Sequence, residues 1–242
     1  KAVIVVHLYG LSADLNPILE LCKKHNVTLI EDAAESLGTT YKGKHTGTFG
    51  DYGIFSFNGN KIITTSGGGM LVSDHEERIQ KVRFWATQAR DKARHYQHSE
   101  IGYNYRMSNI VAGIGRGQLK VLDQRVAKKR YIYEFYKGEL GGLEGIAMMP
   151  INEWNEPNCW LSCITLSGKV KPIDIMLALE NENIESRPIW KPMHMQPVFA
   201  RYDFIGKGIS KHIFENGVCL PSDTKMTDED LERVCNIIKS LW

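Results

Sequence analysis

No apolar run in this 242-residue chain approaches the ~20 residues that a membrane-spanning helix needs. An excess of one charge is also missing. Thirty Lys+Arg stand against 28 Asp+Glu, a net +2, which offers no field for nucleic acid and no basic face for a membrane surface. The five cysteines, Cys22, Cys159, Cys163, Cys219 and Cys235, are odd in number, scattered and without C-x-x-C spacing. Buried, reduced thiols in a cytoplasmic protein are therefore the expectation, with Cys159 and Cys163 on one face of a strand. No cleavable signal opens the chain, and no initiator Met: Lys1–His7 already reads as a strand. No strand–G-x-G-x-x-G–helix pattern supports a Rossmann dinucleotide site. Hydrophobic content of 43% and charged content of 24% exclude a disordered or fibrous chain.

What is present reads as α/β. Ala2–His7 is a β-branched apolar run suited to a doubly covered parallel strand. Asp14 is placed to cap a helix carrying Ile18, Leu19, Leu21 and Cys22, and Val27–Glu31 is a second apolar strand. Strand, helix and strand over so few residues predict a right-handed βαβ unit. Strands are expected again at Tyr52–Asn58 and Gly69–Ser73, a helix after Asp74, and a long exposed loop at Asp91–Tyr105. Helical patterning from Asn109 to Tyr136 predicts two helices or one kinked at Gly113–Gly117. The texture changes after Gly141-Gly142. Strands at Trp160–Leu166 and Ile184–Ile189, with helices at Ile173–Glu182 and Asp228–Leu241, predict a smaller βαβ-like domain over residues 136–242, following a larger one over 1–135.

Ligands of open α/β sheets bind outside the carboxyl ends of the strands, and two charged residues fall there. Asp32 follows Val27–Glu31, and Lys61 follows Tyr52–Asn58, just before Thr64-Thr-Ser-Gly-Gly-Gly69. Alone, each is ordinary: a surface lysine, a turn aspartate, a tight glycine connection. Together, an amine beside serine and glycine and an acid at a strand end are what pyridoxal phosphate requires. The amine forms a Schiff base, the carboxylate keeps the pyridine nitrogen protonated, and a hydroxyl meets the phosphate.

Three motifs in order, Glu31-Asp-Ala-Ala-Glu-Ser-Leu-Gly38, Phe55-Ser-Phe-Asn-Gly-Asn-Lys61 with Gly67-Gly-Gly-Met-Leu-Val72, and Gly102-Tyr-Asn-Tyr-Arg-Met-Ser-Asn109, resemble the DegT/StrS-type sugar-nucleotide aminotransferases. Val6-His-Leu-Tyr-Gly10 and Arg187-Pro-Ile-Trp-Lys-Pro-Met-His194 fit the same family, so the resemblance spans essentially the whole chain. Thr87–Asp91 and His95–Asn104 are most similar to the branch that makes the 4-amino sugar of UDP-bacillosamine.

The resemblance implies a PLP-dependent transferase of fold type I, with a partial large domain. It implies that Lys61 holds the cofactor and moves the proton, that Asp32 pairs with the pyridinium nitrogen, and that Ser56 binds the phosphate. Asn104 matches an asparagine that reaches the partner subunit's phosphate, which implies a homodimer with shared sites. Glu35 stands where the family usually has Gln or His near the ring, and His194 and Arg187 fall in a stretch near the sugar. The implied reaction moves an amino group from glutamate to the 4-keto carbon of a UDP-linked 6-deoxy amino sugar. Family members also carry an N-terminal segment with a glycine-rich turn for the phosphate and an aromatic residue on the ring. This chain starts after both, so the expectation is a truncated chain, inactive alone. A PLP or PMP sugar dehydratase is the neighbouring alternative, but that chemistry goes with His at the position of Lys61. A non-catalytic sensor or scaffold of the same fold is the other.

Overall fold

A computed structural model describes all residues, 1–242. The chain forms two compact units, Lys1–Ala127 with Ile151–Trp160, and Lys128–Pro150 with Leu161–Trp242. The division expected at residue 135 falls inside a helix, and the short return of 151–160 to the first unit has no signature in composition.

The first unit opens with β1 (Ala2–Val6), α1 (Leu15–His25) and β2 (Thr28–Asp32), followed by the short β3 (Thr40–Tyr41) and β4 (Lys44–His45). Next come β5 (Tyr52–Ser56), β6 (Gly69–Val72), α2 (Glu76–Ala86) and α3 (Asn109–Leu119), after which α4 (Leu122–Leu140) runs out of the unit. Its main sheet has the order β1-β2-β5-β6, with β1, β2 and β5 parallel and β6 returning antiparallel. The expected βαβ unit is therefore present. One face of the sheet packs Val5 and Leu29 against Leu15 and Cys22 of α1. On the other face Ile4, Val6 and Ile54 are exposed. The Asn109–Tyr136 stretch breaks at Lys120-Val121, between α3 and α4, rather than at Gly113–Gly117. Ser108 caps α3 by accepting the Val111 N–H.

The second unit adds β7 (Ile146–Met148), β9 (Ser162–Leu166), α5 (Pro172–Asn181), β10 (Arg187–Pro188), α6 (Ile209–Asn216), β11 (Gly217–Leu220) and α7 (Asp228–Lys239), while β8 (Asn155–Glu156) pairs with β3 in the first. Its sheet, β10-β11-β9-β7, is wholly antiparallel rather than βαβ-like. The strand expected at Ile184–Ile189 shrinks to two residues. Cys159 lies outside β9 at φ +51°, so it does not share a strand face with Cys163, which stands opposite Cys219 instead. All five cysteines are free and buried. Core packing comes from Ile132, Tyr136 and Leu140 of α4 with Ile175, Leu179, Leu231 and Ile238. No helix is long and apolar enough to cross a membrane.

Two buried polar residues fix the carboxyl ends of the first sheet. Glu31 is fully buried in β2. Its carboxylate accepts the N–H of His7 Nε2 (3.0 Å), of Gly47 (2.8 Å), and of Phe49 and Gly50 (both 2.6 Å). His7 Nδ1 in turn accepts the Ala13 N–H at 3.2 Å, which leaves Nε2 as the ring's donor. The 46–50 loop can lie this close only because Gly53 has no Cβ: one built there would sit 1.9 Å from the Gly47 carbonyl oxygen. The second residue is Asn158. Its amide donates to the carbonyls of Glu35 (2.8 Å) and Leu37 (2.9 Å), and its oxygen accepts the Trp160 N–H (2.8 Å).

Burial raises the Glu31 pKa, but the hydrogen bonds from His7, Gly50, Gly47 and Phe49 outweigh it, so its carboxyl stays below the ordinary value. Its stabilisation is complete above the unfolded glutamate pKa of about 4.3 and is lost as the pH falls through the lower folded one. Glu31→Gln should therefore cost about 3 kcal/mol or more at pH 7, since an amide cannot accept all four donors, and should flatten the acid limb of stability. Urea unfolding at neutral and acid pH reads both; equal losses for wild type and variant on acidification would contradict the linkage. Asn158→Ala leaves two buried carbonyls and one N–H unpaired, at about 1–3 kcal/mol each before relaxation. A loss of about 2 kcal/mol or more in the same assay is the expected result.

Candidate active site

The parallel register places Asp32 beside Ile54, two residues before Ser56, so an acid and a hydroxyl stand at neighbouring carboxyl ends. Asp32 Oδ1 accepts the Ala34 N–H at 3.1 Å, and Oδ2 takes no hydrogen bond from the chain. The Ser56 oxygen accepts a long bond from the Asn58 N–H at 3.4 Å, and its own proton is unused. After Ser56 the chain turns through Asn58–Lys61, closed by the Lys61 N–H on the Asn58 carbonyl at 3.1 Å, and returns as β6 with Gly69 opposite Ser56.

The Lys61 side chain is turned inward and is only 12% exposed. Its Nζ stands 3.7 Å from Glu35 Oε1 and 4.3 Å from the centre of the Trp160 ring. That indole is pinned by its own N–H, which donates to the Asn60 carbonyl at 2.8 Å. Glu35 is 7% exposed, and its Oε2 accepts the Tyr9 N–H at 2.7 Å. Burial drives its pKa above the ordinary carboxylate value. The Tyr9 N–H and the Lys61 charge work against that rise, and the Asp32 charge adds to it. Tyr9 itself is held at φ +56°, and Gly10 at φ +89° follows it; a Cβ there would strike the Asn158 side chain at 1.9 Å.

Of the residues singled out from the sequence, Asp32, Glu35, Ser56 and Lys61 thus gather around the ends of β2 and β5 in the first unit. Asn104 is exposed in the same unit, bridged to Thr87. Arg187 and His194 belong to the second unit, where Arg187 ion-pairs with Glu185 and the His194 ring stacks on Phe204 at 3.7 Å. Sequence reading did not find Trp160, Asn158 or the His7–Glu31 pair. The first two carry no local pattern, lying about 100 residues from Lys61. For the pair, the available signal was a histidine and a glutamate ending β-branched apolar runs.

This donor set meets the chemistry of pyridoxal phosphate. A shielded primary amine, a carboxylate oxygen with no partner in the chain and a hydroxyl with an unused proton sit at adjacent strand ends, where the ring nitrogen, the carbonyl and the phosphate each need one of them.

Comparison with known proteins places the chain in a family. Residues 1–239 match the DegT/DnrJ/EryC1/StrS aminotransferase family. The chain is 54% identical over its whole length to EpsN of Bacillus subtilis strain 168, provisionally named a pyridoxal phosphate-dependent aminotransferase, and covers 63% of that protein. It is 38% identical over its whole length to a GDP-perosamine synthase of Vibrio cholerae, covering 66% of it. Over 57% of the chain it is 41% identical to a UDP-4-amino-4,6-dideoxy-N-acetyl-beta-L-altrosamine transaminase of Campylobacter jejuni, of which it covers 37%. Among solved structures, the aminotransferase TlmJ of Streptoalloteichus hindustanus superimposes on 99% of the chain and 65% of its own length, with a TM-score of 0.92 at 26% identity. The chain thus spans about two thirds of the length of the curated relatives it matches from end to end. With that family's pattern matched over residues 1–239, this chain belongs to the DegT/DnrJ/EryC1/StrS aminotransferase family.

Proposed function

We propose that this chain is the catalytic portion of a PLP-dependent aminotransferase. It moves an amino group from glutamate to the 4-keto carbon of a nucleotide-linked 6-deoxy amino sugar, in the cytoplasm, for a surface glycan or glycoprotein sugar. The observation that carries this reading is the shielded Lys61 amine beside Asp32 and Ser56 at adjacent strand ends. Bound there, pyridoxal phosphate supplies an electrophilic carbonyl carbon and an electron-withdrawing ring.

The chain's own side chains do the rest. Lys61 Nζ holds the cofactor in the resting state, and it is the base placed to carry a proton to and from the substrate carbon. The uncommitted Asp32 Oδ2 keeps the ring nitrogen protonated, and the Ser56 hydroxyl donates to the phosphate. Trp160 and the inward turn of Lys61 keep bulk water from the amine. In this reading Asn104 reaches the cofactor phosphate of a second copy, so the working unit is a homodimer, and Arg187 and His194 serve the sugar.

A UDP-linked sugar, of the kind used in bacillosamine formation, is the first choice of substrate, in keeping with the Campylobacter relative. The GDP-perosamine synthase matches the whole chain rather than part of it, which favours a GDP-linked sugar as the second reading. The test supplies glutamate, pyridoxal phosphate and each 4-keto sugar nucleotide to these 242 residues and to a polypeptide of the relatives' length that contains them. Product is followed by mass spectrometry. The longer protein should aminate one of the two sugars, with the product lost in Lys61→Ala and slowed at least a hundredfold in Asp32→Asn, about 2.7 kcal/mol of barrier. The 242 residues alone should be inactive. No amination of either sugar, or full activity in Lys61→Ala, would overturn the proposal.

A further inference from the structure

Glu35 is a buried titratable group that the reaction above does not use. One oxygen is committed to the Tyr9 N–H at 2.7 Å; the other faces Lys61 Nζ at 3.7 Å and accepts no hydrogen bond from anything else in the chain. The charged groups that face it are few. Lys61 comes from the turn after β5, and Asp32 from the end of β2. From the Tyr9 turn a backbone N–H reaches it, and Asn158 meets the backbone of Glu35, not its carboxyl. Glu31 is already spent on His7 and three backbone N–H groups.

An ammonium and a carboxylate at this distance, both largely out of water, cannot titrate independently. We propose that Glu35 is the proton partner of Lys61 and acts as a positioning residue for it. The pair exchanges one proton between a carboxylate–ammonium state and a carboxyl–amine state, so Glu35 sets the pH at which the Lys61 amine is free to react. The exchange is balanced within the pair: the N–H bond that breaks on Lys61 becomes an O–H bond on Glu35, and no further reactant is needed. Two opposing influences act on the Glu35 carboxyl. Burial and Asp32 favour the neutral carboxyl, while the Tyr9 N–H and the ammonium favour the carboxylate.

This inference rests on the reading of Lys61 as the reactive amine, but its test needs no amino transfer, so the two can fail separately. In cofactor-free protein, Lys61 is labelled by reductive methylation across a pH series, and the labelled fraction is read by peptide mass spectrometry. Glu35→Gln keeps an acceptor for Tyr9 and removes only the charge. Its Lys61 labelling midpoint should move to lower pH by about one unit or more, a tenfold gain in reactivity below the midpoint. Lys61→Met gives the reciprocal reading. The Glu35 carboxyl, followed by carbon-13 NMR, should then titrate at higher pH than in wild type and by the same amount, since linkage is reciprocal. If Glu35→Gln does not fold, the Lys61→Met titration decides alone. Superimposable Lys61 profiles in wild type and Glu35→Gln, or a Glu35 titration unmoved in Lys61→Met, would overturn the proposal.

Discussion

The carboxylate of Glu31, buried at the carboxyl end of β2, is the interaction on which the site depends. A lone carboxylate in that position would be expelled or protonated. It stays because the His7 imidazole and three backbone N–H groups converge on its two oxygens. One donor comes from the residue after β1 and three from the 46–50 loop, so the carboxylate ties the end of β1, the end of β2 and the loop before β5 to one point. Asp32 directly follows Glu31, and Glu35 stands four residues after Glu31. Their positions relative to Ser56 and Lys61 are therefore set by a knot at the sheet end rather than by a flexible turn.

Three acids within Glu31–Glu35 illustrate how environment divides labour among similar groups. Glu31 has the most donors and stays charged as a structural anion. Asp32 is half-buried, with one oxygen bonded locally and one available to a ligand. Glu35 has little solvent and few donors, so its charge depends on its neighbours. For Glu31 and Glu35 the contest is between desolvation and hydrogen bonding, and Glu31, with four N–H donors, stays below the ordinary carboxylate value while Glu35, with one backbone N–H, rises above it. Trp160 matters for the same reason. By shielding Lys61 it lowers the local polarity, which strengthens the coupling between the lysine and the acids near it.

Much of this was legible in the sequence because it is local. The β-branched runs around Val3–Val6 and Leu29–Ile30, with a short helix between, specify a parallel pair, and the parallel pair specifies which end carries Asp32. The Ser56–Lys61 spacing is a single turn and could be read without coordinates. What could not be read depends on contacts far apart in the chain. The return of residues 151–160 to the first unit brings Asn158 and Trp160 to Glu35 and Lys61 across about 100 residues. No periodicity encodes such a contact. The glycines at 113–117 looked like a helix break, but the helix, capped by Ser108, runs through them although none of its side chains is buried, because a glycine costs a helix only about 1 kcal/mol. In the second unit, apolar strands alternating with helices suggested parallel pairing. Direction is set by how the connections run, and apolar content does not report it.

The central claim is that Lys61 is the single amine that captures the cofactor. Incubating a polypeptide of the relatives' length that contains this chain with pyridoxal phosphate, reducing with borohydride and mapping the fixed adduct by peptide mass spectrometry tests it most directly. The expected result is one modified peptide, carrying the cofactor mass on Lys61 and absent from Lys61→Ala. Adducts spread over surface lysines, or an undiminished adduct in Lys61→Ala, would contradict the claim.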